Sequence, residues 1–396
     1  VAESVREHVT TAQIVISDEE IFEAHVGGKL SVELKAPLDT QRALSIAYTP
    51  GVAQVSRAIA ADHTLAARYT WAHRLVAVVS DGTAVLGLGD VGPAASLPVM
   101  EGKSALFKAY GDLDSIPIVL DTKDPDEIVE TLVRLRPTFG AVSLEDISAP
   151  RCFEIERRAI EALDCPVMHD DQHGTAIVVL AALLGAGKLL GRDMAALRVV
   201  ILGAGAAGVA IANLLLAMGV SSITVLDSQG ILHPDRTDLN SVKADLAQRT
   251  NPTGLTGGMI EALDKADVFI GVSAGVVPEE IIATMAPEAI VFALSNPDPE
   301  IHPDVAAKHA SVVATGRSDF PNQINNVLAF PGVFRGALDA GARRITEKMM
   351  VAAAEAIFSV VGDELAPDRI VPSPLDPRVC PAVAKAVAAA SNTSAV

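Results

Sequence analysis

Aromatic residues are scarce: tryptophan occurs once, tyrosine three times, and the aromatics together make up 4% of the chain. Any core must therefore be aliphatic. Hydrophobic residues account for 50% of the sequence, which excludes a disordered chain. An Ala, Val, Leu and Ile core suits parallel strands buried between close-packed helices. Cysteine is also rare. Cys152, Cys165 and Cys380 are odd in number and far apart, which argues against a disulfide framework or a C-x-x-C metal site and for idle thiols in a reducing compartment. Positive charge is in deficit, with 31 Lys and Arg against 49 Asp and Glu, a net charge of −18. Such a surface repels phosphate backbones, so nucleic acid is not an expected partner. It also repels a dicarboxylate, so any acid-binding site must carry its own lysine, arginine or metal ion. The first twenty residues alternate charged and apolar positions and lack the roughly 7–15-residue apolar core of a signal peptide. No run of roughly 18 apolar residues is free of charge or turn signals. The expectation is a cytoplasmic protein without a membrane span.

What is present organises itself as two βα arrays. At roughly 100–200 residues per domain, 396 residues allow two or three domains, and no internal repeat is visible. In the first array, apolar runs at 75–79, 116–120, 139–144 and 166–168 read as strands. Helices are expected at 93–110, with Pro93 in the first turn, after Pro125, with Ile128, Leu132, Val133 and Leu135 in register, and at 151–163. A short run at 84–88 is expected to form a hairpin with the first strand. Strands alternating with helices imply a mostly parallel sheet, in which ligands bind outside the carboxyl ends of the strands. Here those ends carry Asp81, Asp121, Glu145-Asp146 and Asp170-Asp171, so four strands deliver acids to one rim. A helix at 175–190 leads to the second array, with strands at 197–202, 222–226, 268–271, 289–294 and 312–315. Helices are expected over 333–361 and a frayed tail over 391–396. The fold class is α/β: an N-terminal parallel-sheet substrate domain, residues 1–172, followed by a Rossmann-type dinucleotide-binding domain, residues 173–396.

The second array opens on Gly203-Ala204-Gly205-Ala206-Ala207-Gly208. G-x-G-x-x-G alone is weak, but here it follows an expected strand, opens an expected helix and precedes an acid, Asp227, by about 20 residues. Gly203 permits the tight turn, Gly205 lets the backbone approach a pyrophosphate, and Gly208 lets helix and strand pack closely. The bland alternative is a glycine-rich turn in an alanine-rich core. Asp227 would accept hydrogen bonds from the adenosine ribose. Its charge disfavours the 2′-phosphate of NADP, and Ser228-Gln229-Gly230 supply no cation; the nearest basic residues are His233 and Arg236. NAD is the expected cofactor and NADP the alternative.

Glu145, Asp146 and Asp171 can gather three carboxylates on a hard divalent cation, and an all-oxygen set suits Mg²⁺ or Mn²⁺. The alternative makes them helix N-caps. A zinc site on His169 and His173 lacks a third nitrogen or sulfur ligand nearby. Lys103, in an apolar helical stretch, and Tyr48, in a turn, remain open between packing and chemistry.

Together these segments resemble the malic enzyme family in its short bacterial form. The carriers are Y-T-P-G-V-A from Tyr48, S-D-G-T-A-V-L-G-L-G-D from Ser80, P-V-M-E-G-K ending at Lys103, L-E-D-I from Leu144, H-D-D-Q-H-G-T-A from His169, the 203–208 loop, S-N-P from Ser295 and P-N-Q-I-N-N-V-L-A-F-P-G from Pro321. They span about residues 20 to 390. The resemblance implies Tyr48 as general acid, Lys103 as general base, Glu145, Asp146 and Asp171 as metal ligands, and Asn296 and Asn326 as contacts to substrate or nicotinamide. It implies oxidation of L-malate and loss of CO2 to leave pyruvate, with a homodimer or higher homo-oligomer as the default assembly. Larger members have an arginine in the loop after S-D-G or T-D-G that holds a substrate carboxylate; here that loop reads Thr83-Ala84. The expectation is a short form without the acetyltransferase-like region of some bacterial members. For Lys103 to take the hydroxyl proton its pKa must fall from about 10.4 toward neutrality. Two other activities compete: malolactic conversion to lactate, and a silent dinucleotide-binding regulator.

Overall fold

The structure is a computed structural model that describes residues 16–392. The reading of the first residues as leaderless, up to residue 15, and of residues 393–396 as frayed lies outside the described residues. Ten strands lie among the described residues: β1 (Leu75–Ser80), β2 (Asp114–Val119), β3 (Ala141–Leu144), β4 (Val167–His169), β5 (Arg198–Leu202), β6 (Ser222–Asp227), β7 (Gly230–Ile231), β8 (Val268–Gly271), β9 (Ala289–Ala293) and β10 (Ala310–Thr315). The first four form a sheet in the order β2-β1-β3-β4, and the rest a sheet in the order β10-β9-β8-β5-β6-β7. All pairings are parallel except β6 with β7. The carboxyl ends of β1, β3 and β4 thus share one edge, as expected of a parallel sheet.

Strand alternation partitions the core. Val76 and Val78 of β1 join the large cluster that also takes Val199 and Ile201 of β5, while Leu75, Ala77 and Val79 face a second cluster on the other side of the first sheet. The helix Thr175–Leu190 packs into the large cluster and buries residues around most of its circumference. Its Gly185 passes so close to the C-terminal segment that a Cβ would lie 2.3 Å from the Ile370 carbonyl oxygen. Among the described residues, the stretch Asp170–Leu190 is long and apolar enough to cross a membrane, which the sequence expectation set aside, yet 67% of it is buried in the fold. Each large aliphatic side chain buried there contributes roughly 1.5–3 kcal/mol, so its apolarity is accounted for by the core. The helices Phe330–Asp339, Glu347–Val361 and Val379–Asn392 close over this core. The last was missed from the sequence, and it carries Ser391 and Asn392, which were assigned to the tail.

The hairpin expected at 84–88 does not form. Gly82 turns with φ +69 so close to Gly92 that a Cβ would meet its oxygen at 2.3 Å. The Gly82 carbonyl accepts from the Val91 and Gly92 N–H groups, both at 3.1 Å. The chain between is pinched into a loop with one 3₁₀ turn, Leu86–Leu88, and a single bridge from Val85 to Gly89. Its contact is made elsewhere, as described below.

The N-terminal helices Asp18–His25, Gln41–Ala47 and Val52–Ala61 bury no residue. Phe22 and Ile46 on these helices, and Val32 and Leu34 on the segment between the first two, are exposed. The arm is tied down at Lys29, whose N–H donates to Glu101 Oε2 at 3.0 Å and whose ammonium donates to the Pro98 carbonyl at 3.1 Å.

Candidate active site

The helix Gly92–Gly111 aims Lys103 at the acidic edge of the first sheet. Its ammonium lies 2.7 Å from Asp170 Oδ2 and 3.0 Å from Glu145 Oε2, with the Phe330 ring beneath it at 4.7 Å. Glu145 and Asp146 follow β3 directly. Asp146 adopts a left-handed conformation, φ 52, that turns its N–H onto Asp171 Oδ2 at 2.8 Å. Asp170 and Asp171 open a π-helical turn, Asp170–Gly174, after β4. Gly174 is required there, because a Cβ would sit 1.8 Å from Asp170 Oδ1. Asn326 reaches in from the second half of the chain, donating to Asp170 Oδ2 at 3.1 Å while accepting from Thr175 Oγ1 at 3.2 Å.

The charges are strongly coupled. Burial, against the opposing pull of Lys103, raises the Glu145 carboxyl well above its ordinary range. Burial and the Asp171 charge push Asp146 up to about 7. Asp171 is held low in spite of burial, chiefly by the His169 imidazole 3.2 Å away. Burial alone would push Lys103 down, but Asp170, Glu145 and Asp171 outweigh it and hold the ammonium well above the lysine range. The protein side chains alone therefore do the opposite of the fall expected for a base.

These groups fit a hard divalent cation. Asp146 Oδ2 and Asp170 Oδ1 are buried without a hydrogen-bond partner, and an unpaired buried carboxylate oxygen is costly unless a cation compensates it. The donors are all oxygen, as Mg²⁺ and Mn²⁺ prefer. Among the described residues no three His, Cys, Asp or Glu side chains already converge on one point, so the recess is open rather than a closed cage. The zinc alternative fails on geometry: His169 Nε2 lies 3.2 Å from Asp171, and His173 Nε2 lies 3.0 Å from Glu156.

In the second half, β5 runs into Gly203, with φ +123, and the helix Ala206–Ala217 starts just after Gly205. A Cβ on Gly208 would lie 1.7 Å from the Gly203 oxygen, so helix and turn pack at a distance only glycine allows. Ala204 is buried beneath this turn and Ala206 and Ala207 form the first helical turn. Asp227 ends β6, beside the loop. This is the arrangement that presents free N–H groups to a pyrophosphate.

The sequence matches "Malic enzyme, N-terminal domain" over residues 27–160 and "Malic enzyme, NAD binding domain" over residues 172–392. The chain belongs to the malic enzyme family. It is 52% identical over 386 residues to an NAD-dependent malic enzyme of Geobacillus stearothermophilus, covering 97% of this chain and 81% of that protein. It is 52% identical over 373 residues to a bifunctional malic/malolactic enzyme of Bacillus subtilis, covering 93% of this chain and 91% of that one. The crystal structure of a malic enzyme from Pyrococcus horikoshii superposes with a TM-score of 0.92 at 45% identity, covering 96% of this chain and 91% of the other.

Within this malic enzyme fold, the remaining residues fall into two groups. Asn296 sits where the halves touch: a Cβ on Gly87 would lie 2.6 Å from its carbonyl oxygen, and one on Gly316 would lie 2.8 Å from its amide nitrogen. The 84–88 segment thus abuts the S-N-P loop instead of pairing with β1. Tyr48, by contrast, is 66% exposed on the N-terminal arm, and its hydroxyl makes no hydrogen bond among the described residues. Asp81 and Asp121 also stand apart from the lysine cluster. Asp81 is buried against Arg151 Nη1 at 3.0 Å, and Asp121 is exposed.

Sequence reasoning missed several residues. Asp170 was seen only as part of the acidic rim, yet it is the nearest partner of Lys103. Glu156 and Glu300 are buried carboxylates that organise loops: Glu300 accepts from Ser273 N, Ser295 N and Ser295 Oγ, and so shapes the S-N-P turn. Arg151 brings a guanidinium to the loop that lacks the family's arginine, with Nη2 3.0 Å from Thr83 Oγ1. The expectation that no cation adjoins Asp227 is overturned: Arg236 and Lys243 both pair with it, at 2.9 and 2.7 Å. The chain folds back between residues 227 and 243, which local reading of the fingerprint does not reveal.

Proposed function

We propose that the chain converts L-malate to pyruvate and CO2 with reduction of NAD, assisted by Mg²⁺ or Mn²⁺. The observation that carries this reading is Lys103, held between Asp170 and Glu145 where Asn326 arrives from the dinucleotide half. The division of labour falls at about residue 172, with substrate chemistry before it and dinucleotide binding after it. Bound NAD supplies the hydride acceptor, and a bound divalent cation supplies the Lewis acid that stabilises charge on the substrate's C2 oxygen.

The chain's own residues do the rest. Glu145, Asp146 and Asp171 hold the cation. Drawn to a cation so held, Glu145 and Asp171 turn away from Lys103 and leave Asp170 as its partner. Burial, together with repulsion between that cation and the ammonium, then favours the neutral amine, which takes the proton of the C2 hydroxyl. Tyr48 returns a proton to C3 after CO2 leaves. Asn296 and Asn326 orient substrate and nicotinamide, and the loop from Gly203 to Gly208 cradles the pyrophosphate, with the adenosine ribose beside Asp227. The uncovered apolar side chains of the arm, among them Phe22, Val32 and Leu34, support a homodimer or higher homo-oligomer in which a second copy covers them. The free cysteines support a reducing, cytoplasmic setting.

The test is absorbance at 340 nm with L-malate and Mn²⁺, run with NAD. Net accumulation of NADH together with pyruvate is expected. Lactate formed without net NADH would replace this reading with the malolactic one, and dinucleotide binding without turnover would overturn both.

A further inference from the structure

Malate brings two carboxylates to a rim already crowded with acids. Lys103 cannot be the cation that holds them, because it must be neutral to take the hydroxyl proton. A fixed positive charge has to come from elsewhere, and arginine is the side chain that keeps its proton. Two guanidiniums lie on segments bordering the site. That of Arg151 is spent. Its Nη1 lies 2.6 Å from the Lys123 carbonyl and 3.0 Å from Asp81, and its Nη2 lies 3.0 Å from Thr83 Oγ1 and 3.2 Å from Ser148 Oγ. Asp81 is buried, so moving Arg151 away would strand a charge inside the fold.

Arg317 is placed differently. It follows β10 in a turn that runs between the two asparagines of the site. Its Nη1 lies 3.4 Å from the carbonyl of Pro297, the residue after Asn296. The turn closes where Thr315 bridges to Gln323. Asn326, just beyond, donates to the same Asp170 oxygen that holds Lys103. The guanidinium is pinned along one edge only. Nε and Nη2 donate to the two oxygens of Asp319 at 2.9 and 2.6 Å, and the Phe320 ring centre lies 5.5 Å from Cζ. The end between Nη1 and Nη2 is hydrogen-bonded to no side chain among the described residues, and the side chain is 36% exposed. A guanidinium fixed along one edge and open at the other is preorganised to grip a carboxylate through two parallel N–H bonds.

We propose that Arg317 seats the C1 carboxylate of malate, the task for which the 83–84 loop carries no arginine. This rests on the function proposed above and names the group that holds its substrate. The C4 carboxylate departs as CO2 and its charge passes to the enolate, so a guanidinium fixed there would hold that charge back. The C1 carboxylate passes unchanged from malate to pyruvate. An arginine on it grips substrate and product alike and keeps C2 in place through both steps.

Arg317→Ala should weaken the binding of L-malate and of pyruvate, each by about 10–100-fold, the loss expected when a hydrogen-bonded charge pair goes. Arg317→Lys should fall between it and wild type, because an ammonium keeps the charge and loses the fork. Binding is read by isothermal titration calorimetry on the Mn²⁺-loaded protein, L-malate with NADH present and pyruvate with NAD, so that neither acid can react. NADH affinity, read by fluorescence titration, should stay at the wild-type value. Arg317→Gln, which keeps most of the side chain and drops the charge, should reproduce the Arg317→Ala losses and guards against a collapsed loop in that variant. Parallel losses for the two acids with NADH binding intact support the seat. Malate weakened with pyruvate unchanged, neither weakened, or NADH binding lost to the same degree each overturns it. A wild type that binds neither acid overturns the proposed function as well, which separates the two failures.

Discussion

Glu156 touches no substrate in the proposed mechanism, yet its removal is expected to loosen the whole acid cluster. It projects from the helix Arg151–Ala162, is 6% exposed, and collects three donors from one segment: His169 N at 2.7 Å, Gln172 Nε2 at 3.0 Å and His173 Nε2 at 3.0 Å. In Glu156→Ala the His169 N–H loses its acceptor inside the fold and the Gln172 amide keeps only His169 Nδ1 at 3.0 Å, while His173, 27% exposed, can turn to water. Each buried donor left unpaired costs about 1–3 kcal/mol, and the vacated space adds to that, for a total of about 3–5 kcal/mol. The same turn carries Asp170 and Asp171, so Mn²⁺ affinity should fall about 10–100-fold, as when an outer partner of a metal ligand is lost. Burial opposes the Glu156 charge, but the His173 and His169 interactions outweigh it and the pKa lies below 4.5. A lowered folded-state value stabilises above the unfolded pKa and is lost as pH falls through the folded one. The difference between wild type and variant should therefore be full at pH 7 and shrink in acid below pH 4.5. Urea unfolding followed by circular dichroism at several pH values, with Mn²⁺ titration read by the paramagnetic resonance of the free ion, tests both. A variant with the wild-type unfolding midpoint and wild-type Mn²⁺ affinity would refute the reasoning.

Asp146, pushed up to about 7, binds a proton in the folded state that the unfolded chain releases near 3.8. Chelator-treated protein should accordingly lose stability as pH rises across that window, and Mn²⁺ affinity should climb toward pH 7 and then flatten, since metal and proton compete. Asp146→Asn should bind Mn²⁺ about tenfold or more weakly and lose that pH dependence; an unchanged titration removes Asp146 from the site. Lys103→Ala should reduce malate oxidation to background in a steady-state assay while NADH binding persists, because the glycine loop belongs to the other half; near wild-type oxidation would remove Lys103 as the base. Tyr48→Phe should spare hydride transfer more than enol protonation, measured as partitioning of bound oxaloacetate or tautomerisation of added enolpyruvate; equal loss of both would show that Tyr48 acts at another step.

The sequence by itself determined the elements and the order of the motifs, because both rest on local physics. Apolar runs of strand length ending in Asp81, Glu145-Asp146 and Asp170-Asp171 dictate a parallel sheet with an acidic edge, and the turn from Gly203 to Gly208 dictates a tight strand-to-helix junction whose glycines the structure shows to be sterically required. The helix Thr175–Leu190 was read at about its observed bounds because its apolar run is long and Gly191 stops it with φ 64. Tertiary structure decided what each charge faces. Lys103 and Asp170 are 67 residues apart and meet only when helix and sheet pack. Arg236 and Lys243 reach Asp227 only because the chain reverses after β6, which turns the expected anionic pocket into a balanced one. The 84–88 segment has the composition of a strand, but Gly82 and Gly92 pinch it into a loop against the S-N-P turn. Propensity and periodicity act over a few residues and are legible in order along the chain. Electrostatic partners and close approaches are set by which surfaces the folded core brings together, and that information is distributed over the whole sequence.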